Sequence, residues 1–227
     1  MPGYRPGAAL SRKRFGPADM TRLLPGLLAM ATVVVASNIL VQFLILDGLL
    51  TWGAFTYPLA FLVTDVMNRA YGAAAARRVV FGGFAVGILC SLIGSQMMLE
   101  FGPAVPLRVA IGSGLAFLTA QLLDVAVFQR LREGTWWRAP LVSSLIGSTV
   151  DTALFFTIAF AGFRSFGAGA DGQVSWAQEQ APLLLFGPLA PLWVTLALAD
   201  WAVKLATALI ALLPFRLITH RFGHGAA

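Results

Sequence analysis

Apolar residues in this chain run in blocks of about 20, separated by short polar connections, and neither strand-like alternation nor a repeat breaks the pattern. The blocks fall near residues 23–46, 51–68, 79–99, 107–128, 140–162 and 190–213. At 1.5 Å per residue each reaches about 30 Å as a helix, the thickness of a bilayer's hydrocarbon core. The pattern predicts an all-α protein, a polytopic membrane helical bundle of six transmembrane helices. The run 182–190 (PLLLFGPLA) is also apolar, but Pro182, Pro188 and the following Pro191 argue against a further span. It reads as an interfacial or re-entrant lead-in to the sixth.

Composition agrees with a membrane class. Of 227 residues 58% are hydrophobic and 11% charged, with a mean hydropathy of +0.80; soluble domains carry roughly 25% charge. Cys90 is the single cysteine, and the only histidines, His220 and His224, lie in the C-terminal tail. Serine–histidine and cysteine–histidine catalysis and histidine- or cysteine-held metals are thereby removed from any membrane site, and no cofactor is implied. The net charge of +6 is spread over short connections rather than one face, which excludes nucleic acid as a partner. Of the 16 basic residues, all but Arg108, Arg164 and Lys204 precede span one, follow span six, or lie between spans two and three or four and five. The positive-inside rule then places both termini in the cytoplasm, with membrane lipid around the spans. Residues 1–22 are expected to be a basic, disordered cytoplasmic tail, 23–213 the membrane domain and 214–227 a second cytoplasmic tail. Residues 163–190 form the one sizeable outer segment, at most a short lid.

Candidate chemistry comes from polar residues inside the spans, where a charge costs about 2.5–3.5 kcal/mol on insertion scales. These are Asp65, Asp124, Asp151, Asp200 and Lys204, joined by Asn38, Gln42, Gln96 and Gln121. Asp151 lies about 16 Å in from Pro140 and Asp200 about 15 Å in from Ala190, so both sit near the midplane. Asp200–Lys204 and Asp65–Arg69 are i,i+4 pairs on one helix face. Asp151 has no basic residue within a turn, and Lys204 is its natural partner from another helix. Asn38 with Gln42, and Gln121 with Asp124, form polar stripes that serve either helix packing or a cavity for a small polar molecule. The Gly83/Gly87 spacing reads as close helix packing.

Several segments in order carry a family resemblance: SNILVQ (37–42), TWGAFTYPLAFLVTDVMNRAYG (51–72), QLLDVAVFQRLR (121–132), WWRAPLVSSLIGSTVDTALFFTIAF (136–160) and LADWAVKL (198–205). Over roughly residues 30–213 the chain resembles the queuosine precursor transporter family, also called the vitamin uptake transporter family. The resemblance implies a carrier in a bacterial inner (plasma) membrane that imports 7-cyano-7-deazaguanine and 7-aminomethyl-7-deazaguanine, with a six-helix shape similar to the substrate-binding subunits of energy-coupling-factor transporters. Ala126 stands where some members carry histidine, and 161–190 is longer than the family pattern.

The residues suit such a base. A deazaguanine offers N1–H and its 2-amino group as parallel donors, which one carboxylate accepts together. Asp151 or Asp200 fills that role, near Lys204. Asn38, Gln42 and Gln121 are the amide partners, and Tyr57 or Phe55 stacks on the ring. Asp65, Arg69 and Asp124, nearer the cytoplasmic ends, are assigned to gating or helix orientation. The alternative is a binding subunit of a vitamin or purine-like importer driven by a separate ATPase, since the chain has no GxxxxGK[ST]. Energy coupling and oligomeric state stay open. An intramembrane protease is excluded, because no GxGD exists and Leu115 follows Gly112 and Gly114.

Overall fold

A computed structural model describes residues 17–100, 102–162 and 165–223. Arg5, Arg12, Lys13, Arg14, Arg164 and His224, and the first 16 residues of the expected N-terminal tail, lie outside the described residues. The protein is mostly helical: α1 (Pro17–Leu40), α2 (Gly53–Thr56), α3 (Leu59–Tyr71), α4 (Ala73–Gln96), α5 (Leu107–Leu131), α6 (Arg138–Phe160), α7 (Ala168–Gly172) and α8 (Leu192–Gly223). Short strands make three antiparallel hairpins: β1 (Leu44–Ile45) with β2 (Leu50–Thr51), β3 (Met98–Leu99) with β4 (Gly102–Pro103), and β5 (Gln180–Pro182) with β6 (Leu189–Pro191).

Five helices, α1, α4, α5, α6 and α8, are long and apolar enough to cross a membrane. Their outward faces are apolar too, as at Leu28, Ile39, Leu89, Leu92 and Ile210, which is how a helix meets lipid rather than water. The expected span 51–68 differs from a single helix. Pro58 has no N–H to donate, so the ladder breaks into α2 and α3, and Ala60 and Phe61 bond to Tyr57 and Pro58 three residues back. The first long helix stops at Leu40, six residues before the expected limit, where Gln42 and Phe43 bond three residues back and the chain turns into the β1–β2 hairpin, whose turn takes positive φ at Leu46, Asp47 and Gly48. The run 182–190, expected as an interfacial or re-entrant lead-in, folds into the β5–β6 hairpin that leads into α8. Residues 17–22 and 214–223, expected in the tails, are helical.

Contacts give the directions. Gly26 near the start of α1 faces Met67 near the end of α3, while Ser37 and Thr56 share a 2.9 Å hydrogen bond at the other end. Gly82, Gly83 and Gly87 of α4 meet Leu27, Met30 and Val34, so α1 and α4 run parallel in close contact. Gly112 lies so near the backbone at Ala159 that a Cβ would stand 3.2 Å from its nitrogen. That approach seats α5 on α6, and α8 runs back along α6. One end of the bundle therefore holds Arg22, Arg69, Arg77, Arg78, Arg130, Arg132, Arg138 and Arg216, tied by Arg69 to the Arg132 carbonyl at 2.8 Å and by Arg216 over the Trp136 ring. The hairpins and α7 lie at the other.

Gly72 is the single residue between α3 and α4, at φ 84°, and a Cβ there would touch nothing. Gly72→Ala isolates backbone strain, since φ 84° with ψ 170° is a conformation essentially confined to glycine, and is expected to cost about 1–3 kcal/mol, read as a lowered melting temperature of detergent-purified protein with unchanged helix content.

Candidate functional site

A cavity of about 420 Å³ enters the bundle from the hairpin end and reaches down to Tyr57, Asp151, Asp200 and Lys204. Lys204 comes from the middle of α8, its amine enclosed by α3 and α6. Its Nζ donates to Asp151 Oδ2 at 2.7 Å, Asp200 Oδ2 at 2.5 Å and Thr152 Oγ1 at 3.0 Å. An ammonium has three donors, so Lys204 has none left for a ligand. Tyr57 donates to Asp151 Oδ1 at 3.2 Å, which occupies both oxygens of that carboxylate. Asp200 is different. Thr152 and Lys204 share Oδ2, no hydrogen bond among the described residues reaches Oδ1, and its side chain is 15% exposed against 4% for Asp151. The floor of the cavity thus presents one accessible carboxylate oxygen, and its two carboxylates outnumber its one ammonium.

Asn38 and Gln42 line the same cavity, with one Asn38 amide hydrogen on Val34 O and Gln42 Nε2 on Ala104 O at 3.4 Å. The apolar walls include Phe117, packed edge-on to Tyr57 at 6.1 Å, with Phe155 and Phe156. These rings were not singled out by sequence, because phenylalanine in an apolar run carries no signal of which way it faces. Phe55 is 42% exposed beside Trp52 and does not line the cavity. Gln121 does not line it either. It is fully buried between α3 and α5, where Thr64 donates to its Oε1 at 2.6 Å. Gln96 is exposed and bonds Ser95.

A second polar layer lies toward the arginine-rich end. Asp65 accepts from Ser143 at 3.2 Å and from Ser144 at 3.3 Å, and Asp124 faces it. The i,i+4 pair Asp65–Arg69 is not an ion pair. Arg69 turns to the Arg132 carbonyl and the face of Phe128, 5.5 Å from its centroid, where it gains a hydrogen bond outside the bundle interior.

The hairpin end carries an anchor that sequence reading passed over. Arg108, 2% exposed, donates to the carbonyls of Ile158 (3.1 Å) and Ala161 (2.9 Å), which the end of α6 leaves free, and to Asp171 at 3.0 Å. Asp171 opens the segment whose Gln173, Val174 and Trp176 line the cavity, and Gln178 Nε2 bonds the Phe160 carbonyl. The Ser165 hydroxyl and the Phe166 N–H, followed by Arg108, hold the Asp171 carboxyl below the usual carboxylate range. A lowered folded value stabilises in full above the ordinary range and is lost as pH falls through the lowered one. Amide exchange in 165–178 is expected to accelerate in acid before the transmembrane helices exchange, as mass spectrometry would read it.

Lipid-facing helices around a mostly apolar cavity, with polar groups converging at its floor, define a multi-pass membrane protein built to hold a small molecule. Residues 51–219 match the family described as "Putative vitamin uptake transporter", and the chain belongs to that family. It is 34% identical over 195 residues to the queuosine precursor transporter of Escherichia coli (strain K12), covering 80% of this chain and 79% of that protein. Over 122 residues, 48% of this chain and 52% of the relative, it is 40% identical to a protein of Haemophilus influenzae described as a probable queuosine precursor transporter. A protein of Bacillus subtilis with the same description is 28% identical over 182 residues, 71% of this chain and 68% of its own. No solved structure matches.

Proposed function

We propose that this protein imports the queuosine precursors 7-cyano-7-deazaguanine and 7-aminomethyl-7-deazaguanine across a bacterial inner membrane. The observation that carries the reading is the accessible Asp200 oxygen at the floor of a cavity with aromatic walls, in a chain whose relatives bear that name. Asp200 Oδ1 accepts from the N1–H and 2-amino edge of the base through its one open oxygen, Asn38 and Gln42 serve the 6-oxo group and the pyrrole N–H, and the Tyr57–Phe117 pair forms an aromatic wall beside the ring. Asp151 and Lys204 brace Asp200 rather than touch the base. Roughly 300–1,000 Å³ is usual for a small-molecule site, and the cavity lies within that range.

The chain crosses six times, with α2 and α3 together as the second crossing and both termini in the cytoplasm. The arginine-rich end supports this sidedness through the positive-inside rule. The cavity then faces outward, where imported base arrives.

The test is queuosine in the tRNA of cells that cannot make the base, given labelled 7-cyano-7-deazaguanine. The chain alone is expected to restore it, and Asp200→Asn, present at equal level in the membrane, to abolish it. Restoration only beside a separate ATPase makes the chain a binding subunit instead. No restoration with confirmed insertion, or full uptake by Asp200→Asn, overturns the proposal.

A further inference from the structure

The second polar layer is built differently from the cavity floor. Asp124 is fully buried and neither carboxylate oxygen has a hydrogen bond of normal geometry, although Asp65 and Ser143 are its neighbours. Asp65 is 2% exposed and receives only two long hydroxyl bonds. Among the described residues no cation forms an ion pair with either carboxylate. On α3, Arg69 is engaged at the Arg132 carbonyl, and the basic residues of α5 stand at its two ends, Arg108 at one and Arg130 and Arg132 at the other. Between Arg138 and Asp151, α6 offers only neutral hydroxyls. α8 offers Lys204, whose three donors are taken, and Arg216, stacked on Trp136. The arginines of the adjoining α4, Arg77 and Arg78, lie at the bundle's basic end.

A void of about 10 Å³, room for one water, lies between this layer and the cavity floor. Its polar lining is Asp65, Ser144, Ser148 and Lys204, set among apolar side chains such as Phe61, Leu62, Leu212 and Phe215. The Ser148 hydroxyl borders this void, is 1% exposed and has no hydrogen-bond partner among the described residues. A water held there would have the Ser148 hydroxyl and the Asp65 carboxylate as polar partners, which is enough for a relay.

We propose that Asp65 and Asp124 together form a proton-binding site, reached from the cavity floor through this void, and that its occupancy is coupled to binding of the base. One proton converts two facing carboxylates into an acid–carboxylate pair joined by a hydrogen bond, which removes the like-charge repulsion without a partner cation. The step is proton uptake alone, with no bond to carbon and no electron moved. Lys204 borders both sites. With the pair unprotonated, its negative charge draws the ammonium toward the void, and with the pair protonated the ammonium stays with Asp151 and Asp200. Each site then biases the other by the same free energy.

The proton site stands apart from the transport reading, while the coupling rests on it, and two measurements separate them. Infrared difference spectroscopy of the purified full chain should show the C=O stretch of a protonated buried carboxyl that titrates with pH. The band should be lost in Asp65→Asn/Asp124→Asn and kept in Asp200→Asn. Absence of the band from the unsubstituted protein, or its persistence in the double variant, overturns the proposal, and the first result needs no variant to fold. In proteoliposomes holding a pH dye, added 7-cyano-7-deazaguanine should acidify the lumen, a signal lost in the double variant. Uptake without acidification, or uptake that requires sodium, overturns the coupling. The band without any uptake of the base keeps the proton site and removes the transport reading.

Discussion

Lys204→Met is expected to remove folded protein from the membrane. The ammonium is the cation both floor carboxylates share, and taking one partner from a buried pair costs about 3–5 kcal/mol, a large part of the 5–15 kcal/mol that holds a typical domain. Asp151→Asn should be far milder, because Asp200 and Lys204 still neutralise one another, and the introduced amide can accept from Lys204 through its oxygen and donate to the Tyr57 hydroxyl through its NH2. Size-exclusion profiles and melting curves of detergent-extracted protein distinguish the two. A folded, monodisperse Lys204→Met protein with an unshifted melting point would contradict the three-bond description of the amine. Combining Lys204→Met with Asp151→Asn should recover part of the loss, since one fewer charge is stranded.

Arg108→Met is expected to release the segment over the cavity mouth. The two α6 carbonyls left without a donor cost about 1–3 kcal/mol each, and Asp171 loses its link to the bundle. Fast amide exchange across 165–178 and a sharp fall in affinity for the base should appear together, with α1 and α4 unchanged. Arg108→Lys should rescue little, because one ammonium cannot span two carbonyls and a carboxylate that a planar guanidinium reaches at once. Wild-type exchange in Arg108→Met would show that the segment is held by Gln178 and Trp176 instead.

The helices were legible in the sequence because a bilayer demands about 20 apolar residues per crossing and little else has that length. Midplane depth likewise singled out Asp151 and Asp200, and the lone lysine between helices could only answer a buried carboxylate. Other features depended on facts a linear pattern does not hold. Gln121 sits three residues before Asp124, yet it turns to Thr64 of another helix and away from the cavity. Asp65–Arg69 has ion-pair spacing, but spacing does not tell that the arginine finds a carbonyl outside the bundle interior. Arg108 looked like an ordinary loop charge, because nothing local shows where α6 ends opposite it. Pro58 was visible, and with it the break in the second crossing, but hydropathy windows average over one proline.

With two carboxylates against one ammonium, the cavity floor also decides what is refused. Cells hold purine-like rings chiefly as phosphorylated nucleotides. A phosphate brought to about 5 Å from one excess negative charge is repelled by about 3 kcal/mol at an effective dielectric of 20, roughly two orders of magnitude in affinity. A neutral or cationic base carries no such penalty. On the proposed reading, the same excess charge that receives a naked ring disfavours a nucleotide at the site and so opposes its leak from the cell.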